Sequence, residues 1–247
     1  MKRTILSIVV LMAAISAMAQ TWKVVKTDGS VVSFHASFVN YVTVTSDPAS
    51  DYVDLELPSG TLWAICNIGA KNPEDYGDYF AWGEITGYGS GEARDFFWYT
   101  YKYCGGSKTS QTKYNYNSNY GIVDNKMSLE LIDDAAYVNW GSLWRMPSKE
   151  QFDELIDGNY TTIAWITQNG VYGCKITSKS NGISIFLPAA GYRYSTLFGN
   201  ENIGLYWSRT LHKSNPYNAW YMWFGSEIKH SGTDRYNGLS VRPVRTQ

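Results

Sequence analysis

The chain has 247 residues, with 21 Lys and Arg against 22 Asp and Glu for a formal charge of −1. That balance argues against a nucleic-acid binder, which needs a basic stripe to displace counterions from phosphates. Aromatics reach 16 % of the chain, with 20 Tyr, 10 Trp and 9 Phe. Such a load buries enough apolar surface to offset the entropy of ordering, which excludes disorder. Tyr in excess of Phe suits half-wet surfaces that meet sugars or proteins, because the ring is flat and apolar and its hydroxyl is not.

Residues 1–19 have the three parts of a secretory signal. Lys2 and Arg3 form the positive n-region, Ile5 to Ile15 is an apolar run broken only by Ser7, and Ala17-Met18-Ala19 is an A-x-A cleavage site before Gln20. The run is well short of the roughly 20 residues that span a bilayer. Export is therefore expected, to the periplasm, the outer surface or the medium. No Cys follows the cut, which argues against a lipid anchor there, and losing Lys2 and Arg3 moves the charge to −3. No later stretch approaches spanning length, so no transmembrane segment is expected after cleavage.

Residues 20–46 read as a small β-element. Thr21 to Lys26 and Val31 to Phe34 flank Asp28-Gly29, a hairpin turn whose central positions both need positive φ. A third β-branched run covers Tyr41 to Thr45, and Ser46 to Asp51 with Pro48 is the expected linker. The main domain then runs over about 52–246. Tyr88 to Tyr120 is polar, aromatic and Gly-rich without a period, and reads as a long packed loop region.

Two short helices follow. Asp133 or Asp134 can N-cap Ala135 to Trp140, with Gly141 as the stop, and Ser148-Lys149-Glu150-Gln151 is a capping box ahead of Phe152, Leu155 and Ile156, with Gly158 ending that helix. Beyond residue 160 the period becomes that of strands. Asn169-Gly170 and Asn181-Gly182 read as hairpin turns between Ala164 to Thr167, Gly173 to Thr177 and Ile183 to Leu187. Tyr206 to Thr210, Ala219 to Phe224 and Ser240 to Arg245 supply three more runs. Helices in the middle and antiparallel strands at the end predict an α+β domain on a twisted antiparallel sheet, with two short helices and long loops.

Three cysteines, Cys66, Cys104 and Cys174, would sit in a compartment that permits disulfides. A Cys66–Cys104 bridge would close a loop of about 38 residues and contribute about 4 kcal/mol. Three buried small hydrophobes are the equal alternative. No C-x-x-C spacing occurs, so neither a zinc ribbon nor a thioredoxin-type redox motif is expected.

Several ordered blocks carry a family resemblance. Val53-Asp54-Leu55, Leu57-Pro58-Ser59-Gly60-Thr61-Leu62-Trp63-Ala64, Cys66-Asn67 and Gly69-Ala70 resemble the opening of the Fibrobacter succinogenes major paralogous domain, common in secreted proteins of Bacteroidetes-type bacteria. Tyr76 to Glu84, Asp133-Asp134-Ala135-Ala136 and Trp144-Arg145-Met146-Pro147-Ser148 are similar to its middle. Phe186 to Arg193, Tyr206-Trp207-Ser208 and Ser240-Val241-Arg242-Pro243-Val244 are similar to its end. The 21–45 unit resembles the small β-element that often precedes such domains. This resemblance implies a C-type-lectin-like fold, similar to the formylglycine-generating enzymes and to the C-terminal domain of a Legionella collagen-like adhesin.

The chemistry that the resemblance raises meets counter-indications in the residues. The Glu-Pro-Asn or Gln-Pro-Asp and Trp-Asn-Asp triplets of calcium-dependent lectins are missing. Asp124, Asp133 and Asp134 could bind calcium, but capping a helix and favouring its positive end is the stronger reading for Asp133 and Asp134. His35, His212 and His230 stand without Gly-x-Ser-x-Gly or His-Glu-x-x-His. Neither a catalytic set nor a cofactor is expected.

The candidate ligand-binding residues are Tyr194, Phe198, Asn200, Glu201 and Asn202 in the 192–205 loop, with Tyr217 and Tyr236 beside the last strands. Aromatics stack on the C–H faces of sugar rings while amides and carboxylates meet hydroxyls. Tyr194, Phe198, Tyr217 and Tyr236 are expected to be exposed, and Trp207, Trp220 and Trp223 to be core. A secreted or surface non-enzymatic module binding a glycan or a surface protein is the leading expectation. An enzyme on the formylglycine-generating fold and a structural part of a surface assembly are the rivals.

Overall fold

The computed structural model describes residues 52–246 and the strands Thr21–Val25 (β1) and Val31–His35 (β2). The chain divides into two compact units, Met1–Ser46 and Asp47–Gln247. In the first, β1 and β2 pair antiparallel with Val25 opposite Val31. The signal segment, the Asp28-Gly29 turn, the Tyr41 to Thr45 run and the 46–51 linker lie outside the described residues.

The second unit is built on a central sheet. Its strands are Tyr79–Phe80 (β5), Gly204–Leu211 (β11), Asn218–Phe224 (β12), Ile228–Asp234 (β13) and Leu239–Ser240 (β14), in the order β13-β12-β11-β14-β5. All neighbours are antiparallel except β11 and β14, which run parallel with Tyr206 opposite Ser240. Tyr52–Asp54 (β3), Thr61–Ala64 (β4) and Val244–Thr246 (β15) make a three-stranded sheet with β4 in the middle. Thr161–Gln168 (β6), Val171–Ser178 (β7) and Ser184–Pro188 (β8) make another. Tyr192–Arg193 (β9) and Leu197–Phe198 (β10) form a small hairpin. The unit is α+β, with mostly antiparallel sheets and two short α-helices among the described residues.

The period-2 alternation of the strands assigns the central sheet two buried faces. Leu205, Trp207, Ala219 and Leu239 join one core with Trp82, Phe96, Tyr114 and Trp144. Tyr206, Met222 and Phe224 join a second with Trp63, Phe152, Leu155, Ile176 and Leu187. The two α-helices, Ala135–Trp140 (α1) and Lys149–Leu155 (α2), put their buried residues into different cores. Of the three tryptophans expected inside, Trp207 is fully buried, whereas Trp220 and Trp223 are half-buried.

Local signals are realised with small adjustments. Asp134 caps α1 by accepting from Ala136 and Tyr137 amides at 2.9 and 3.1 Å. Ser148 and Gln151 form the reciprocal box at the start of α2. Asn169 and Gly170 occupy positive φ as a two-residue turn, with Gln168 opposite Val171. Asn181-Gly182 instead belongs to a longer connection, closed by the Ser178 amide donating to Ile183 O at 2.8 Å. The expected strand over 240–245 divides, because Ser240 ends β14 in the central sheet and Val244 starts β15 on β4. Pro243 between them cannot donate a ladder bond, and its carbonyl accepts from Ala64 N at 3.0 Å.

Of the two equal readings of the cysteines, the Cys66–Cys104 bridge does not form, since Cys104 is a free thiol, and Cys66 and Cys174 are buried while Cys104 is half-buried. Each sulfur is turned to a carbonyl of its own loop: Cys66 Sγ donates to Ala70 O at 3.5 Å, and Cys104 Sγ donates to Trp98 O at 2.8 Å.

Long loops are held by buried arginines that donate to carbonyls. Arg235 donates to Tyr114 O at 2.9 Å, Pro216 O at 2.8 Å and Lys113 O at 3.0 Å. Arg193 donates to Gly89 O at 2.6 Å and Glu92 O at 2.5 Å. The unpaired carbonyls of irregular backbone need such donors when buried. Among the described residues no helix is long and apolar enough to cross a membrane.

Candidate ligand-binding surface

The 192–203 loop is the organising element. Gly191 enters it at φ +66, where an added Cβ would lie 2.1 Å from Phe198 O and 2.6 Å from Asn200 N. Only glycine allows so close an approach in the left-handed region. The loop then turns back through β9 and β10, with Phe198 opposite Tyr192.

This turn brings aromatics from three distant segments together. Tyr194 stands 5.7 Å from Tyr236, 5.8 Å from Phe97 and 6.2 Å from Phe198. Phe97 continues the ladder to Tyr99 at 5.5 Å with the planes 9° apart, and Tyr192 stacks on Phe198 at 5.9 Å. The two ends are open: Tyr99 is 68 % exposed and Phe198 45 %. The middle is supported from below by Tyr236, which Trp98 meets edge-on at 4.8 Å.

Tyr236 is thus a correction to the expected exposure. It is only 9 % exposed, because Phe97, Trp98 and Tyr194 cover it. Burial, together with hydrogen bonds to Tyr194 and Asp234, pushes its phenol above the ordinary value. Tyr194 and Tyr217 are half-buried. Tyr217 is not part of this ladder; it packs on Tyr120 at 5.2 Å with the Lys108 ammonium 5.5 Å from its ring.

Asn200, Glu201 and Asn202 turn elsewhere. Asn200 lies beside the Tyr76 phenol, which burial raises above its ordinary pKa. Glu201 and Asn202 line an open cleft of about 450 Å³ with Trp165, Tyr172, Gly225 and Ser226. Trp165 and Tyr172 are 43 % and 45 % exposed. Neither was singled out in the sequence, and neither were Phe97 and Tyr99. The Asn169-Gly170 turn does carry the missing signal for the first pair. It sets Thr167 opposite Tyr172 and Trp165 opposite Cys174, so both rings fall on one face of the hairpin.

The remaining candidates for chemistry are occupied. Asp133 accepts from the Tyr103 phenol, from the Tyr114 phenol at 2.6 Å and from Lys113 at 2.5 Å. Asp124 accepts from the Tyr114 and Asn115 amides, both at 2.9 Å. Asp134 adds the Met146 amide to its helix-capping bonds. Among the described residues no three His, Cys, Asp or Glu are grouped as a metal site. His212 and His230 both pack on Trp220, at 4.3 and 5.4 Å, and His230 Nδ1 lies 2.7 Å from Asp153.

No protein-family model, curated protein or solved structure matches this chain.

Proposed function

We propose that this protein is an exported, non-enzymatic binding module that recognises carbohydrate through the aromatic ladder from Tyr99 to Phe198. We also read its main domain as C-type-lectin-like, of the Fibrobacter succinogenes major paralogous type. The blocks behind that resemblance lie in the described unit, and their large residues, among them Trp63, Trp82, Trp144, Trp207, Arg193 and Arg242, are buried there. Motifs spent on packing leave the loops to vary, which suits a scaffold for recognition.

One observation carries the functional reading. The rings of Phe97, Tyr99, Tyr192, Tyr194 and Phe198 form one contiguous cluster, partly stacked and partly edge-on, with Tyr99 and Phe198 exposed at its ends and Tyr236 buried beneath it. Rings held rigid before binding lose little entropy when a sugar stacks on them.

The test is a glycan-array screen of the exported protein with and without chelator, repeated with Tyr99→Ala and Phe198→Ala. Polysaccharide binding that falls at least tenfold in both variants supports the reading. An array that stays blank with a folded protein refutes it, and loss of binding on chelation would add a metal to the site.

A further inference from the structure

We propose that the cleft between the β6–β7 hairpin and the turns at 201–202 and 225–226 is a second subsite, separate from the ladder, that takes one uncharged pyranose ring. The inference deepens the carbohydrate reading and rests on it.

The cleft has the size and the chemistry for this ligand. Its volume of about 450 Å³ falls within the roughly 300–1,000 Å³ of small-molecule sites. One wall presents Trp165 and Tyr172, diagonal neighbours on the same face of the hairpin, whose exposed rings can take the C–H face of a sugar. Trp165 is steadied from behind by Phe224, edge-on at 6.0 Å. Glu74 holds the hairpin tip by accepting from Asn169 at 2.5 Å and Gln168 at 3.3 Å.

The opposite wall presents polar groups that have no use inside the protein. The Glu201 carboxylate, the Ser226 hydroxyl and the Tyr172 phenol make no hydrogen bond among the described residues, and Asn202 uses only its Nδ2, to Asn200 O at 3.2 Å. Glu201 is held in the left-handed region at φ +69, with its amide tied to Ala189 O at 2.7 Å. A non-glycine residue is strained there, and such strain collects at functional sites. Among the described residues, Glu201 is also the one charged residue lining the cleft. A carboxylate accepts from vicinal sugar hydroxyls and repels a uronic acid, so the site selects neutral rings.

The experiment titrates the exported full-length protein by NMR or calorimetry with methyl β-glucopyranoside, methyl N-acetyl-β-glucosaminide and methyl β-glucuronide. The variants are Trp165→Ala, the milder Tyr172→Phe and Glu201→Gln, and the surface control Leu143→Ala, each checked for an unchanged melt. We expect at least one neutral glycoside to bind and the glucuronide to fail. Trp165→Ala should weaken binding at least tenfold, Tyr172→Phe and Glu201→Gln should weaken it less, and Glu201→Gln should narrow the gap to the glucuronide, while the control matches wild type. Neutral glycosides that bind equally well to the cleft variants, a glucuronide that binds wild type equally well, or no glycoside binding would each overturn the subsite. If polysaccharide binding then falls in Tyr99→Ala but not in Trp165→Ala, the cleft alone is refuted. If no polysaccharide binds, the carbohydrate reading falls with it.

Discussion

Arg242 donates Nε to Asn67 Oδ1 at 2.9 Å, joining residues 175 positions apart in the fully buried centre of the domain. The same guanidinium donates to Ala64 O at 3.1 Å, Ile65 O at 2.9 Å and Phe186 O at 3.0 Å. It therefore ties the chain after β4, the β8 strand and the approach to β15 into one knot. Arg242→Met would fill the volume and leave these acceptors without donors. We expect a loss of at least about 3 kcal/mol, since a buried acceptor without its charged donor carries its desolvation cost. Urea unfolding with an unchanged slope measures it, and a midpoint within error of wild type would refute the pinning role.

Asp133 gives the protein an acid-sensitive point. Burial raises its pKa, but Lys113 and the Tyr103 and Tyr114 phenols outweigh this and hold the carboxyl below its usual range. A depressed carboxyl contributes stability above its unfolded value of about 3.9 and loses it as pH falls through the folded value. Asp133→Asn should be less stable at pH 7, and the difference from wild type should shrink below about pH 4. Urea midpoints from pH 7 to 2 decide this, and parallel curves would rule the linkage out.

The ladder has a buried member and exposed ends. Tyr236→Ala removes a buried ring and should cost about 3–5 kcal/mol. Tyr99→Ala removes an exposed one and should cost less than about 0.5 kcal/mol. Melting curves of the two variants would contradict the picture if they shifted equally.

Gly191→Ala tests the entry to the loop. Its positive φ and the nearby Phe198 carbonyl make a cost above about 1 kcal/mol the expected result. The displacement should reach Phe198 and Asn200 first, so their amide shifts in an NMR spectrum should move more than those of α2.

Cys174 should be inert in the native state. Burial pushes its thiol up to about 12, and the thiolate is the reactive species. Iodoacetamide at pH 8 is expected to leave it unmodified until denaturant is added. Mass spectrometry of the native sample showing rapid Cys174 labelling would disprove its seclusion.

Local signals were legible wherever a few neighbouring residues decide the backbone. The Ser148–Gln151 box, the Asp134 cap and the Asn169-Gly170 turn follow from side-chain oxygens meeting adjacent amides and from residues that tolerate positive φ, and the structure has all three. The α+β class follows from where the helical and strand periods fall. What the sequence alone could not decide is which aromatics share a surface. Tyr236 lies near a turn, yet it is buried because Phe97 and Trp98, more than a hundred residues earlier, fold over it. Glu201 and Phe198 are neighbours in one loop, yet one faces the cleft and the other ends the ladder. The 88–120 region has no period to read, and its path is imposed by Arg193 in β9 and by Arg235 in the turn after β13, which reach in from far along the chain. Caps and turns are properties of contiguous chain, whereas a binding surface is assembled by packing and buried donors that act across the whole of it.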